Sequence, residues 1–205
     1  MARPALERNE QDREEYKTII ANHYRPEQLV FADESHFNRL TLRRPFAWSI
    51  RGKRACRYEF SFRGTKFSIL PALALDGILH LEVVKNAVTG DDFRRFVQGL
   101  LPRMNKWPLP NSVLVVDNAS IHWVDGIREM VEEHGARLVY LPAYSPDLNP
   151  IELAFSTIKA WLRANRDRIN TEGGEIYNAL WEAVYSVTQE DARGWYKHCG
   201  YLPPL

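Results

Sequence analysis

Five short apolar runs punctuate this chain: QLVFA at 28–32, FSILPALAL at 67–75, ILHLEVV at 78–84, SVLVV at 112–116 and RLVYL at 137–141. Each is too short for a buried helix and reads as a strand. The second and third are joined at Asp76-Gly77, a strong two-residue hairpin signal. Amphipathic or helix-capped stretches fall around them. A polar helix is expected over 9–23, and another over 90–104, opened by Thr89 with Asp92 as its capping-box partner. Further helices are expected near 124–134, from Glu152 to about Arg166, and over 175–197 after the Gly173-Gly174 break. The order is strand, hairpin, helix, strand, helix, strand, helix. That pattern predicts an α/β domain in which helices cover both faces of one five-stranded mixed sheet.

At 205 residues the chain can bury one sizeable core. A net charge of +1 says nothing about a polyanionic partner, so that question falls to local charge. Locally the answer is sharp. Between Asn38 and Lys66 stand Arg39, Arg43, Arg44, Arg51, Lys53, Arg54, Arg57, Arg63 and Lys66 against one acid, Glu59, with Phe46, Trp48, Tyr58, Phe60 and Phe62 interleaved. Such a stretch suits nucleic acid, although a plain surface loop has the same composition. Cys56 and Cys199 form neither a disulfide framework nor a zinc-like cluster. The best apolar stretch is short and broken by Pro71, and the N-terminus carries no signal-peptide pattern. A soluble, intracellular protein without a membrane partner is the expectation.

Three acids stand apart. Asp33 in LVFADES and Asp117 in VLVVDNASIH each end an apolar run, and Glu152 in SPDLNPIELAF opens a helix. Three carboxylates delivered from two strands and a helix make an oxygen-rich pocket for hard divalent cations, suited to phosphoryl transfer. Each acid also has a structural explanation. A strand-ending Asp often bonds its own turn. With Asn149 as N-cap and Pro150 first in the helix, Glu152 falls at the capping-box position. Glu34 adjoins Asp33, but neighbours in an extended segment point to opposite faces, which sends it away from the site. His122 and Asn118 either support the site or are ordinary polar residues. On the Glu152 helix, Ile151, Phe155, Ile158 and Leu162 form the core face, while Ser156, Lys159 and Arg163 share a stripe with the acid. Those two cations suit phosphates flanking a scissile bond, or a solvated helix surface.

These motifs resemble the catalytic domain of the Tc1/mariner and bacterial IS630-type transposases, in the DDE superfamily of integrase-like endonucleases. Thirty-four residues separate Asp117 from Glu152, a spacing typical of those branches. VFADESHF, VVDNASIH and LPAYSPDLNPIE look like the three acid motifs, LNPIE before a helix being the most diagnostic string. The likeness covers about 27–165, and GWYKHCGY looks like a tail of eukaryotic, notably fungal, relatives. Where that family usually has Trp three residues after the glutamate, this chain has Phe155.

The resemblance implies an RNase H-like (integrase-like) fold, with Asp33, Asp117 and Glu152 as catalytic and metal-binding triad for two Mg²⁺ or Mn²⁺ ions. It implies no organic cofactor, DNA as substrate (transposon end and target) and a homodimer in the active complex. Residence would be nuclear if the source is eukaryotic. The stretch 38–66, including Trp48 and Gly52, would be a clamp-like loop gripping DNA. Arg43, Arg44, Arg51, Lys53, Arg54, Arg57, Lys159 and Arg163 are the candidate DNA contacts. The implied organisation is a lead-in over 1–26, a catalytic domain over 27–170 and a helical appendage over 171–205. Helix-turn-helix domains precede such catalytic domains in the family, and about 25 residues precede the first strand here. Specific recognition of transposon ends is therefore not expected of this chain. A domesticated, non-catalytic binding module and another RNase H-like nuclease are the competing readings. Without metal, three clustered carboxylates repel, so partial protonation or loose order is expected.

Overall fold

The structure, a computed structural model, describes residues 8–37, 48–56, 66–118, 125–166, 169 and 176–203. Among the expected features, Arg43, Arg44, Arg57 and His122 lie outside the described residues, as does most of 38–66.

Among the described residues the strands are β1 (Leu29–Ala32), β2 (Ser35–Phe37), β3 (Phe67–Ala74), β4 (Gly77–Lys85), β5 (Val113–Val116) and β6 (Arg137–Tyr140). They form one six-stranded sheet in the order β2-β3-β1-β5-β6, with β4 also paired to β3. The β3–β4 and β1–β3 pairs are antiparallel, whereas β1–β5 and β5–β6 are parallel. The hairpin turns at Leu75-Asp76, and Gly77 takes φ +117, a conformation that favours glycine.

The sixth strand, β2, is too short for hydrophobic patterning to announce. It continues β1 along the same side of β3 in one register: Phe31 faces Leu73 and Ala32 faces Ala72, then Ser35 faces Ile69 and Phe37 faces Phe67. Only Asp33 and Glu34 leave the ladder. In that register the residue opposite Asp33 is Pro71, which has no N–H to donate. A backbone lapse thus falls at one of the three candidate acids.

Among the described residues the α-helices are α1 (Glu10–His23), α2 (Gly90–Leu100), α3 (Ile127–His134), α4 (Pro150–Ala164), α5 (Ile176–Tyr185) and α6 (Gln189–His198). Thr89 and Asp92 form the expected capping box of α2. That helix stops at Leu100 and passes into a 3-10 turn, Leu101–Arg103, whose Pro102 cannot continue an α-helical ladder. The single C-terminal helical segment expected from the sequence is two helices. Thr188 restarts the chain with its own capping box to Asp191.

Alternate strand residues face two cores. Leu29, Phe31, Val113 and Val115 pack with Tyr16 and Ile20 of α1, with Ile151, Phe155, Ile158 and Leu162 of α4, and with α5 and α6. Val30, Ala32, Leu114 and Val116 pack on the other face, with Phe93, Phe96 and Val97 of α2 and with Ile127 and Val131 of α3. Burial on both faces explains why β1 and β5 read as unbroken apolar runs rather than alternating ones. Tyr196, fully buried on α6, donates its hydroxyl to Leu29 O at 2.8 Å and Leu73 O at 3.2 Å, pinning the last helix to β1 and β3. No helix among the described residues is long and apolar enough to cross a membrane.

Candidate active site

The pairing of β1 with β5 decides the geometry. These strands run parallel with Ala32 facing Val116, so the residues that follow, Asp33 and Asp117, leave adjacent strand ends side by side. Carboxyl ends of parallel strands are where open α/β sheets present ligand-binding residues. Period-two alternation extended one residue further puts both acids on the face of Phe31 and Val115. That is the face α4 covers, and α4 carries Glu152.

The Glu152 end of α4 is tied directly to β1. Asn149, 3% exposed, donates from Nδ2 to Asp33 Oδ2 at 3.0 Å. Asp33 Oδ1 accepts the Glu34 N–H at 2.7 Å. The capping box that would have explained Glu152 does not form. The Asn149 side chain makes no capping bond, and its backbone N–H is taken by Pro146 O at 3.0 Å. Glu152 is exposed, so its place on α4 rests on neither a cap nor a core contact.

Asp33 is 7% exposed, and burial pushes its carboxyl from the usual 3.8 up to about 8. The charges of Asp117, Glu34 and Glu152 push the same way, against the Glu34 backbone hydrogen bond. Glu152 keeps an open outer surface, but the protein around its carboxyl partly desolvates it and raises its pKa; Lys159 opposes this, and Asp117 and Glu34 add to it. Asp33 therefore feels the charge of three other acids, Glu34 among them. Strand alternation sends Glu34 away from the site, yet its charge acts on both Asp33 and Glu152. Charge acts over distance, so Glu34 need not point into the site to raise its neighbours.

The donor set fits a hard divalent cation: oxygen ligands only, excess negative charge, and a buried acid whose ionised form is disfavoured without a counter-charge. The spacing is open. Among the described residues no three His, Cys, Asp or Glu side chains form a ready-made cage.

The remaining candidates divide. Asn118 is exposed beside Asp117. Lys159 is half-buried, with Nζ 5.6 Å from the Phe37 ring centroid and 5.9 Å from that of Phe155, so aromatic rings hold its ammonium on the Glu152 side of α4. Arg163 is half-buried one turn further on. Arg51, Lys53 and Arg54 lie on a fully exposed turn with Trp48 and Gly52. Asn149 is the residue that sequence reasoning passed over, because its position before Pro150 already had a sufficient explanation as an N-cap.

The backbone matches that of the Mos1 mariner transposase in a paired-end complex with Mn, with a TM-score of 0.65 and 16% identity. That match covers 92% of this chain and 57% of the other, so the chain spans little more than half of that protein. The Mos1 strand transfer complex gives 0.61 and 18%, covering 95% and 60%. The Mos1 catalytic domain alone gives 0.52 and 13%, covering 95% and 93%. At these identities the likeness is one of fold, that of the RNase H-like catalytic domain. No curated protein matches the sequence. Residues 28–172, a stretch holding all three acids and both strands that bring the aspartates together, match the DDE superfamily endonuclease family, and the chain belongs to it.

Proposed function

We propose that this chain is the catalytic domain of a metal-dependent DNA transposase, cleaving phosphodiesters at transposon ends and joining 3′-hydroxyl ends to target DNA. The observation that carries this reading is the convergence of three carboxylates from β1, β5 and α4, with Asn149 fastening the start of α4 onto Asp33. The fold match to transposase complexes with DNA supports it, and so do relatives studied with Mn and Mg.

Asp33, Asp117 and Glu152 would hold two Mg²⁺ or Mn²⁺ ions. When bound, these supply activation of a water or 3′-hydroxyl and neutralise charge at the phosphorus. The protein's own part is to keep the acids close despite their repulsion. Two backbone-borne aspartates are locked by the β1–β5 ladder, and Asp33 is held on both oxygens by Glu34 N–H and Asn149 Nδ2. Asp33, disfavoured as an anion by its burial, would release its proton to solvent only against such a counter-charge. Lys159 tempers the charge of Glu152 and lies beside it for a flanking phosphate. Arg51, Lys53 and Arg54 offer phosphate contacts from their exposed turn. A homodimer holding two DNA ends is the working assembly, by analogy with the paired-end complexes, and such an enzyme works inside the cell.

A plasmid nicking and strand-transfer assay with Mg²⁺ or Mn²⁺ tests the reading. Wild type is expected to nick and join, while Asp33→Asn, Asp117→Asn and Glu152→Gln each lose both activities. Equal metal-dependent activity in all four proteins would remove the triad, and a wild type that binds DNA without cutting it would leave a binding module.

A further inference from the structure

Three consecutive residues of the loop before α4 are each held by a different part of the fold. Asp147 takes a two-pronged bond from Arg13 of α1, Nη1 to Oδ1 at 3.0 Å and Nη2 to Oδ2 at 2.6 Å, and that guanidinium is 3% exposed. Leu148 O accepts the Tyr201 hydroxyl at 2.6 Å, and Tyr201 in turn meets the Tyr16 hydroxyl at 3.0 Å. Asn149 reaches Asp33. The first two anchors use the whole of each polar group. The third leaves half of the Asn149 amide unpaired.

Two ordinary gains are forgone at Asn149. As the N-cap of a fifteen-residue helix its side chain is placed to accept a first-turn N–H, and it does not. Its Oδ1 is buried without a hydrogen-bond partner among the described residues, a destabilising state for an amide oxygen. A side chain selected for the fold would cap the helix, or would be apolar. This one instead directs its donor to one carboxylate oxygen. We propose, building on the metal-dependent function above, that Asn149 is a positioning residue. It fixes the rotation of the Asp33 carboxylate relative to Asp117 and Glu152, and so sets how tightly the divalent ion is held. Groups that orient metal ligands from behind commonly change affinity by about 10- to 100-fold when removed.

The test is Mn²⁺ binding to the purified chain, followed by the electron paramagnetic resonance of free Mn²⁺, with thermal melting in EDTA alongside. Asn149→Leu is nearly isosteric and removes the unpartnered oxygen; Asn149→Ala removes the whole amide. Both variants are expected to melt near the wild-type temperature while binding Mn²⁺ about tenfold more weakly, with Asp33→Asn as the reference for a lost site. The proposal is overturned if the variants bind Mn²⁺ as wild type does. It is equally overturned if both fail to fold, since that assigns Asn149 to the fold alone. A wild type that binds no more Mn²⁺ than Asp33→Asn defeats the metal-dependent reading as well. Intact wild-type binding with unchanged variants defeats only the role of Asn149.

Discussion

Asp33→Asn is expected to make the protein more stable as it makes it inactive. The carboxyl holds its proton up to about pH 8 in the folded chain, against the usual 3.8. Folded protein therefore binds this proton more tightly than unfolded protein does. The stabilisation associated with Asp33 is fully present below about pH 4 and is lost as the pH rises through about 8. Four pH units at about 1.4 kcal/mol each set a ceiling near 6 kcal/mol. Water and side chains relax around a buried charge, so roughly 2–3 kcal/mol is the realised penalty at pH 9. Asparagine has the same shape and no charge. Its Oδ1 keeps the Glu34 N–H, and its Nδ2 meets the Oδ1 of Asn149 once that amide turns over. Thermal melting in EDTA at pH 5 and pH 9 reads the effect. The variant is expected to gain on wild type mainly at pH 9, by about 5–10 °C in melting temperature at roughly 2–4 °C per kcal/mol. Saturating Mn²⁺ should then reverse the order, since a ligand stabilises only the protein that binds it. A variant-minus-wild-type difference that is the same at both pH values would refute the electrostatic account of the pocket.

Other outcomes follow from single interactions. Tyr196→Phe leaves Leu29 O and Leu73 O without their buried donor, and should cost about 1–2 kcal/mol in urea unfolding at constant m-value. Arg13→Met strips the buried partner from Asp147 and should destabilise by about 2–3 kcal/mol. Because Asp147 has its lowered pKa chiefly from Arg13, that destabilisation should shrink in acid as Asp147 protonates, which melting at pH 3 and pH 7 would show. Neutralising Arg51, Lys53 and Arg54 should weaken DNA binding uniformly across sequences. It should also flatten the log-log salt slope by up to about 0.9 for each phosphate no longer neutralised, measured by fluorescence anisotropy over a salt series.

The candidate acids stand out in the sequence because LVFA and VLVV each stop at one, the same mark that a turn-bonding aspartate leaves. The adjacency of Asp33 and Asp117 was not readable from spacing, since it depends on β1 pairing with β5 across a long stretch of chain. Once that pairing is known, period-two alternation assigns both acids to the face of α4. Strand β2 escaped because the Asp33-Glu34 lapse cuts one strand into two pieces, the second only three residues long. The break between α5 and α6 was written in the sequence as Thr188 with Asp191 three residues on, the same signal that correctly opened α2. Asn149 misled for a different reason. Its local rule, N-cap before proline, gives the right position and the wrong partner, because a tertiary hydrogen bond outcompetes the cap.

The ladder between β1 and β5 has an evolutionary corollary. Asp33 and Asp117 are held together by strand register, so the length of chain between them is unconstrained by the chemistry. The region from β2 to β3 lies within that span, and β3 flanks β1 on the side away from β5. What keeps the two aspartates adjacent is the β1–β5 register, whatever the length of the chain between them. The chain from Asp117 to Glu152 has no such freedom. It must cross α3 and β6 and return α4 to the sheet at one fixed point. If the proposed function holds, a lineage of such domains can change the length of chain between its two aspartates far more readily than the path from the second aspartate to the glutamate.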